Sequence, residues 1–319
     1  MSPLLRRAIA LCLVLALPIA AATAQAQQPQ GGTPVTFDTQ DASGRALALA
    51  GQLWLPAEPA QTAKGAVVLV HGSAGWTDQR EGHHARALQA AGYAALAIDA
   101  FGPRSIRTTT DDQSQVSSLQ MARDAFAARA FLIERGFAAP TLAGMGFSKG
   151  GAAALFAADR TFLARQEQRF AAAIAFYPAC NTRPRAPKPA STVYLALAEK
   201  DDYAGVQPCE ALAAAYREAG GKIDVKVYAD AAHGFDGDPA HSAMIRLRFA
   251  ENYIDCTVLV EEDGSHTYAG KRYARNDPAL LADMRGTCVK KGASVWTHAR
   301  QKEAATRDVI DFLSRALIR

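Results

Sequence analysis

Short, almost wholly apolar runs recur along this chain, separated by segments of helical length. That alternation restricts the fold more than any other feature of the sequence. Residues 66–71 (AVVLVH) and 93–99 (YAALAID) carry almost no polar side chain, and residues 140–145, 172–177, 192–198 and 223–228 repeat the pattern. A strand that is apolar on both sides must be buried on both sides, as in a parallel sheet covered by helices. Residues 80–91, 114–135, 150–159, 206–218 and 295–317 read as the covering helices. In 114–135, Val116, Leu119, Phe126, Ala130 and Ile133 fall near one face at the 3.6-residue period. Residues 35–39 and 47–55 come first and alternate in polarity, which predicts an antiparallel edge. The expected class is α/β, a mostly parallel sheet with helices on both faces. Residues 255–293 break the rhythm. They are polar, bracketed by Cys256 and Cys288, and expected to form an irregular excursion before the last helix.

The first residues read as an address rather than as structure. Arg6 and Arg7 precede the uncharged stretch 8–22, which is shorter than the roughly 20 residues of a bilayer span and contains Pro18. Ala24 and Ala26 then give the small-residue spacing of a secretory cleavage site. The expectation is a signal peptide over 1–26 and one domain over 27–319, exported to the periplasm or beyond, with no stable membrane association after cleavage. Losing Arg6 and Arg7 lowers the formal charge from +4 to +2, which gives no basis for a nucleic-acid surface. Export also changes how cysteine reads. Cys12 leaves with the leader, and Cys180, Cys209, Cys256 and Cys288 remain, an even set that favours disulfides in an oxidising compartment. Four cysteines allow three pairings. Cys180–Cys209 is expected because both follow neighbouring strands, and Cys256–Cys288 because the pair closes the excursion. No cysteine pair has zinc-site spacing, and neither a metal nor a cofactor is expected.

The chemistry gathers at strand ends. Gly146-Phe147-Ser148-Lys149-Gly150 follows one apolar run and opens a helical one. A serine on so tight a strand-to-helix turn needs small residues two before and two after it, and this context is what gives G-x-S-x-G its meaning. A serine nucleophile needs a base and an orienting acid. His233 follows residues 223–228, and among the seven histidines it alone stands just past a strand end. Glu199-Lys200-Asp201-Asp202 follows residues 192–198, with Asp201 preferred as the acid and Asp202 the alternative. The oxyanion donors are expected to be the N–H groups of Lys149, next after the nucleophile, and of Ser73 in the loop His71-Gly72-Ser73-Ala74-Gly75-Trp76. His71 and Trp76 are expected to be structural or to line the pocket. His83 and His84 open a helix, and His241, His266 and His298 read as surface residues.

These segments resemble the α/β-hydrolase fold and, within it, the dienelactone hydrolase family. The resemblance runs from about Gly65 to the C-terminus. It is carried by VVLVHGSAGW, AIDAFGPR, AGMGFSKGGAAAL, AFYPAC, LAEKDDYAGVQPC and YADAAHGFD. It implies hydrolysis of carboxylic esters or lactones by Ser148, His233 and Asp201, and the family's register is what favours Asp201 over Asp202. Three positions depart from the founding members. Ser148 replaces a cysteine nucleophile, Gly72 stands where they carry a glutamate, and only Arg104 has a counterpart among their two carboxylate-binding arginines. A general esterase for small-molecule esters or lactones is therefore expected, with Trp76 and Arg104 meeting substrate. The rival readings are another acyl-transfer enzyme, such as a serine peptidase or acyltransferase, and a non-catalytic binding protein of the same fold.

Overall fold

The apolar runs do form one sheet. A computed structural model describes residues 31–162, 169–275 and 277–317. The expected leader lies outside the described residues. In chain order the sheet strands are β1 (Thr33–Gln40), β2 (Ala46–Trp54), β3 (Gly65–Val70), β4 (Tyr93–Asp99), β5 (Leu142–Phe147), β6 (Ala172–Phe176), β8 (Thr192–Ala198) and β9 (Ile223–Tyr228), with a short β7 (Thr182–Pro184) elsewhere. Their spatial order is β1-β2-β4-β3-β5-β6-β8-β9. β2 runs antiparallel to both β1 and β4, and every later neighbour is parallel.

The period of two sorts side chains between two layers. Val68 and Val70 pack under α2 (Ser118–Glu134) and α3 (Lys149–Ala157), against Ala122, Ala125 and Ala153. Val67 and Leu69 face the opposite layer, where α1 (His83–Ala90) and α6 (Ala299–Ala316) supply Leu88, Val309 and Phe312. α4 (Gln207–Glu218) covers β6 and β8 with Leu212, Ala213 and Tyr216. Every residue of β3, β5 and β6 is buried, as unbroken apolar runs require.

Several boundaries differ from the sequence reading, each for a local reason. α2 begins at Ser118 rather than 114, because Ser117 Oγ accepts the Gln120 N–H at 3.1 Å and caps the helix. Residues 108–116 are left as a loop. β5 runs two residues past its expected end, straight to Ser148. α6 starts only at Ala299, because the preceding β14 (Lys290–Val295) pairs with β10 (Ile245–Asn252). The excursion is also more ordered than expected. β11 (Val258–Val260), β12 (His266–Tyr268) and β13 (Lys271–Tyr273) form an antiparallel set, and β11 lies parallel to β7. With α5 (Pro278–Thr287) these strands enclose a small core of Val258, Tyr268, Tyr273 and Met284 around Cys256. Disulfides join Cys256 to Cys288 and Cys180 to Cys209, with Cα separations of 5.3 and 4.9 Å. Among the described residues no helix is long and apolar enough to cross a membrane.

Candidate active site

Ser148 stands at the carboxyl end of β5 with φ 53° and ψ −115°. Its N–H donates to Phe176 O at 2.9 Å, and its carbonyl accepts from Ala152 N at 3.0 Å. The two motif glycines make this turn possible. A Cβ on Gly146 would stand 1.9 Å from Gly150 O, and one on Gly150 would stand 2.1 Å from Val70 O. Neither position admits any side chain.

Past the ends of β8 and β9, Asp201 and His233 close on the serine. His233 Nε2 lies 2.8 Å from Ser148 Oγ, and His233 Nδ1 lies 2.9 Å from Asp201 Oδ2. Asp201 Oδ1 accepts the N–H groups of Tyr203 and Ala204 at 2.8 and 2.9 Å, which fixes the carboxylate's plane. Burial opposes ionisation of Asp201. His233 and the two amides outweigh it, so the carboxyl sits below its ordinary range. Asp202 points the other way, to Arg246 at 3.0 Å and the Ser294 N–H at 2.7 Å. Tyr177 and Tyr203 flank the imidazole, with ring centroids 4.7 and 4.8 Å away.

The two residues expected to supply the oxyanion donors lie beside Ser148. Lys149 is the first residue of α3, so its N–H has no carbonyl one turn back to meet. Gly72 runs so close that a Cβ there would lie 3.3 Å from Ser148 Cβ. Its carbonyl takes the His71 Nδ1–H at 2.8 Å and the Gly75 N–H at 3.1 Å. Because a trans peptide points its N–H opposite to its C=O, these two bonds aim the Ser73 N–H. His71 Nε2 accepts the Ala100 N–H at 3.1 Å, which leaves the ring's single proton on Nδ1. Burial lowers the His71 pKa and keeps the ring neutral. His71 is thus structural, as its sequence context suggested.

Behind the site lies a buried polar group that sequence reasoning missed. Asp236, three residues after His233, accepts from the Tyr177 hydroxyl and lies 2.8 Å from His84 Nε2. Burial works against its charge, and His84 and Arg80 more than offset that, so its carboxyl stays below the ordinary value. His84 is therefore a buried partner of the His233 loop. Its neighbour His83 bonds instead to Thr306 Oγ1 at 3.1 Å. Among the described residues no cluster of His, Cys, Asp and Glu is arranged to hold a metal ion.

A cavity of about 1430 Å³ opens at Ser148, lined there by Ser73, Gln113, Lys149, Tyr203 and His233. Gln113, from the loop 108–116, was not foreseen. Its Oε1 accepts from Ser73 Oγ at 2.9 Å, and its Nε2 donates to Tyr203 Oη at 3.1 Å. The Lys149 side chain turns away from the oxyanion position and donates to Thr109 Oγ1, Gln113 O and Val116 O at 3.0, 2.7 and 2.6 Å. Burial lowers its pKa to about 7.

Two residues expected to meet substrate do not line this cavity. Arg104 forms a bidentate pair with Asp124 of α2 at 2.8 and 2.9 Å and donates to Ala100 O. Asp124 is fully buried, so the guanidinium neutralises it and ties the turn after β4 to α2. Trp76 packs on the core layer beneath α1 and α6.

A mostly parallel sheet with a strained serine at the end of its central strand, and an acid and a histidine past the ends of β8 and β9, defines an α/β-hydrolase. The chain belongs to the dienelactone hydrolase family, whose profile matches residues 50–252. Comparison with curated proteins gives no match. Among solved structures, a dienelactone hydrolase-like promiscuous phosphotriesterase from metagenomic libraries superposes with a TM-score of 0.51 at 16% identity, covering 90% of this chain and 100% of that one. A thermophilic esterase from Thermogutta terrifontis, determined with butyrate bound, gives 0.50 at 18% identity, covering 65% and 87%. Both likenesses are of fold.

Proposed function

We propose that this chain is an exported serine esterase that hydrolyses small-molecule carboxylic esters or lactones through an acyl-enzyme. The carrying observation is the unbroken relay from Ser148 Oγ through His233 to Asp201, at 2.8 and 2.9 Å. Ser148 Oγ attacks the ester carbonyl carbon while His233 Nε2 takes its proton. The oxyanion is held by the N–H groups of Lys149 and Ser73. Collapse breaks the acyl–oxygen bond, and His233 protonates the departing alkoxide. Water, deprotonated by His233, then releases the acid. Asp201 keeps the His233 proton on Nδ1 and stabilises the imidazolium. No step calls for a metal or cofactor.

Incubation with a fluorophosphonate should add one adduct to the peptide containing Ser148, and Ser148→Ala should remove both the adduct and the turnover of p-nitrophenyl esters. Wild-type turnover by Ser148→Ala, or an adduct elsewhere, refutes the mechanism. Export is supported by the order of basic, apolar and small residues over 1–26 and by the two disulfides. N-terminal sequencing of exported material should start at Gln27 or Gln25, and an intact Met1 on cytoplasmic protein contradicts it.

A further inference from the structure

The cavity at Ser148 is larger than its chemistry requires. Small-ligand sites usually enclose roughly 300–1,000 Å³, whereas this one holds about 1430 Å³. An acetyl or butyryl group would leave most of it empty. Ser73, Gln113, Lys149 and Tyr203 gather round Ser148, α2 and α3 bring mainly apolar side chains, and Asp38, Thr39, Gln40, Asp41 and Ser43 add polar lining from β1 and the turn after it.

The helix period sets out those apolar side chains. Ser148 precedes the first turn of α3, and Ala152 and Phe156 follow it four and eight residues on, on one helix face. At 1.5 Å rise per residue, Phe156 lies about 12 Å along α3 from the nucleophile. Leu119, Phe126 and Ala127, spaced along one face of α2, line the same cavity from the other side. Phe162 packs on Phe156 with ring centroids 4.6 Å apart and continues the apolar lining. Phe126 and Phe156 are 8% and 9% exposed and belong to the core, so only a small part of each ring faces the cavity. The one charged side chain that α2 brings to it, Arg123, is exposed and stands at its rim.

We propose that the esters taken at this site carry a long apolar acyl chain, which lies in the trough between α2 and α3 and runs from Ser148 past Ala152 to Phe156. The proposal rests on the esterase reading above and names its substrate class. The arrangement separates two tasks. Polar groups orient the ester at the nucleophile, and chain length is read by apolar area alone. Each methylene buried in the trough should improve kcat/KM by up to about fourfold.

The test uses the mature protein and p-nitrophenyl acetate, butyrate, octanoate and decanoate, with fluorophosphonate labelling of Ser148 in parallel. kcat/KM should rise at least tenfold from butyrate to decanoate. Ala152→Phe, which fills the trough one turn from the nucleophile, should lower the decanoate-to-acetate ratio of kcat/KM at least tenfold. Ala152 is buried, so a second variant, Leu119→Arg on the half-buried opposite wall, should lower the same ratio, with thermal unfolding followed for both. If Ser148 labels and acetate is turned over as well as decanoate, the trough proposal falls and the esterase reading stands. The proposal also falls if neither variant moves the ratio, or if peptides with apolar side chains are cleaved in preference to decanoate. If no ester is hydrolysed and Ser148 does not label, both fall together.

Discussion

Ser148 carries a backbone cost that can be measured separately from its hydroxyl. Its φ of 53° is positive, a region that L-residues avoid. Its surroundings hold it there: its N–H donates to Phe176 O, its carbonyl accepts from Ala152 N, and the chain packs closely on both sides of it at Gly146 and Gly150. A residue held this way stores of order 1–3 kcal/mol. Ser148→Ala and Ser148→Gly both delete the hydroxyl, but only glycine releases the strain. Glycine also loosens the unfolded chain, which offsets about 0.4–1 kcal/mol of that gain. The glycine variant should therefore be the more stable of the two by about 1.3 kcal/mol at the midpoints of those ranges, and by up to about 2.6 kcal/mol. In a chain of this size that is about 2 °C in Tm, and at most about 4 °C. Differential scanning calorimetry of both variants at one pH measures the difference, and neither should turn over an ester. An alanine variant more stable than the glycine variant would refute stored strain of this size, and with it the view that the elbow sacrifices stability to present its hydroxyl.

Two further predictions follow from the charged groups. Asp201→Asn should lower kcat by about 10³–10⁴-fold by disturbing the His233 tautomer, whereas Asp202→Asn removes only a half-exposed pair with Arg246 and should leave kcat within about twofold; steady-state kinetics showing the reverse order would place the acid at Asp202. Burial lowers Lys149 to about 7 from an ordinary 10.5, so between those values the unfolded chain binds the extra proton and this site's contribution to stability rises with pH. Relative to Lys149→Met, the wild type should gain up to about 1.4 kcal/mol per pH unit from pH 7 towards 10, read from denaturant titrations at pH 7, 8 and 9. A flat or falling difference contradicts a depressed Lys149.

The parts of this protein legible in the sequence are those whose physics is local. β3, β4 and β8 lie within a residue of their expected bounds, because a strand buried on both faces has to be an unbroken apolar run; β9 does so too, although it is an edge strand that leaves Asp224, Lys226 and Val227 exposed. The serine turn was legible because its steric demand falls on two fixed positions, Gly146 and Gly150. What escaped depends on partners far along the chain. Arg104 looked available for a substrate carboxylate until the fold placed Asp124 against it. His84 gave no sign of Asp236, which is 152 residues away. β10 carries an exposed Phe249 and buries Glu251, the reverse of the pattern that identifies a strand with one face on a core. The strands of the excursion are three residues long, too short for any periodicity to register.

That excursion is joined to the site through one chain of contacts. Gln113 stands between the oxyanion loop and the acid loop, bonded to Ser73 Oγ and Tyr203 Oη. Two things hold it there. From inside, Lys149 Nζ fastens the ends of the Gln113–Val116 turn to α3. From outside, Glu251 Oε2 accepts the Gln113 N–H at 2.9 Å, and Glu251 Oε1 accepts from Arg285 Nε at 2.8 Å. Arg285 belongs to α5, and the same guanidinium reaches Asp112 in the loop at 2.7 Å. Cys288, immediately after α5, is tied by its disulfide to Cys256 beside β10. The wall of the cavity at Ser73 and Tyr203 is therefore set in part by a helix late in the chain, and the disulfide restrains that helix. A loop of polar residues with no secondary structure of its own is thus bonded from α3 by Lys149, from β10 by Glu251 and from α5 by Arg285, and these bonds place Gln113 beside Ser148.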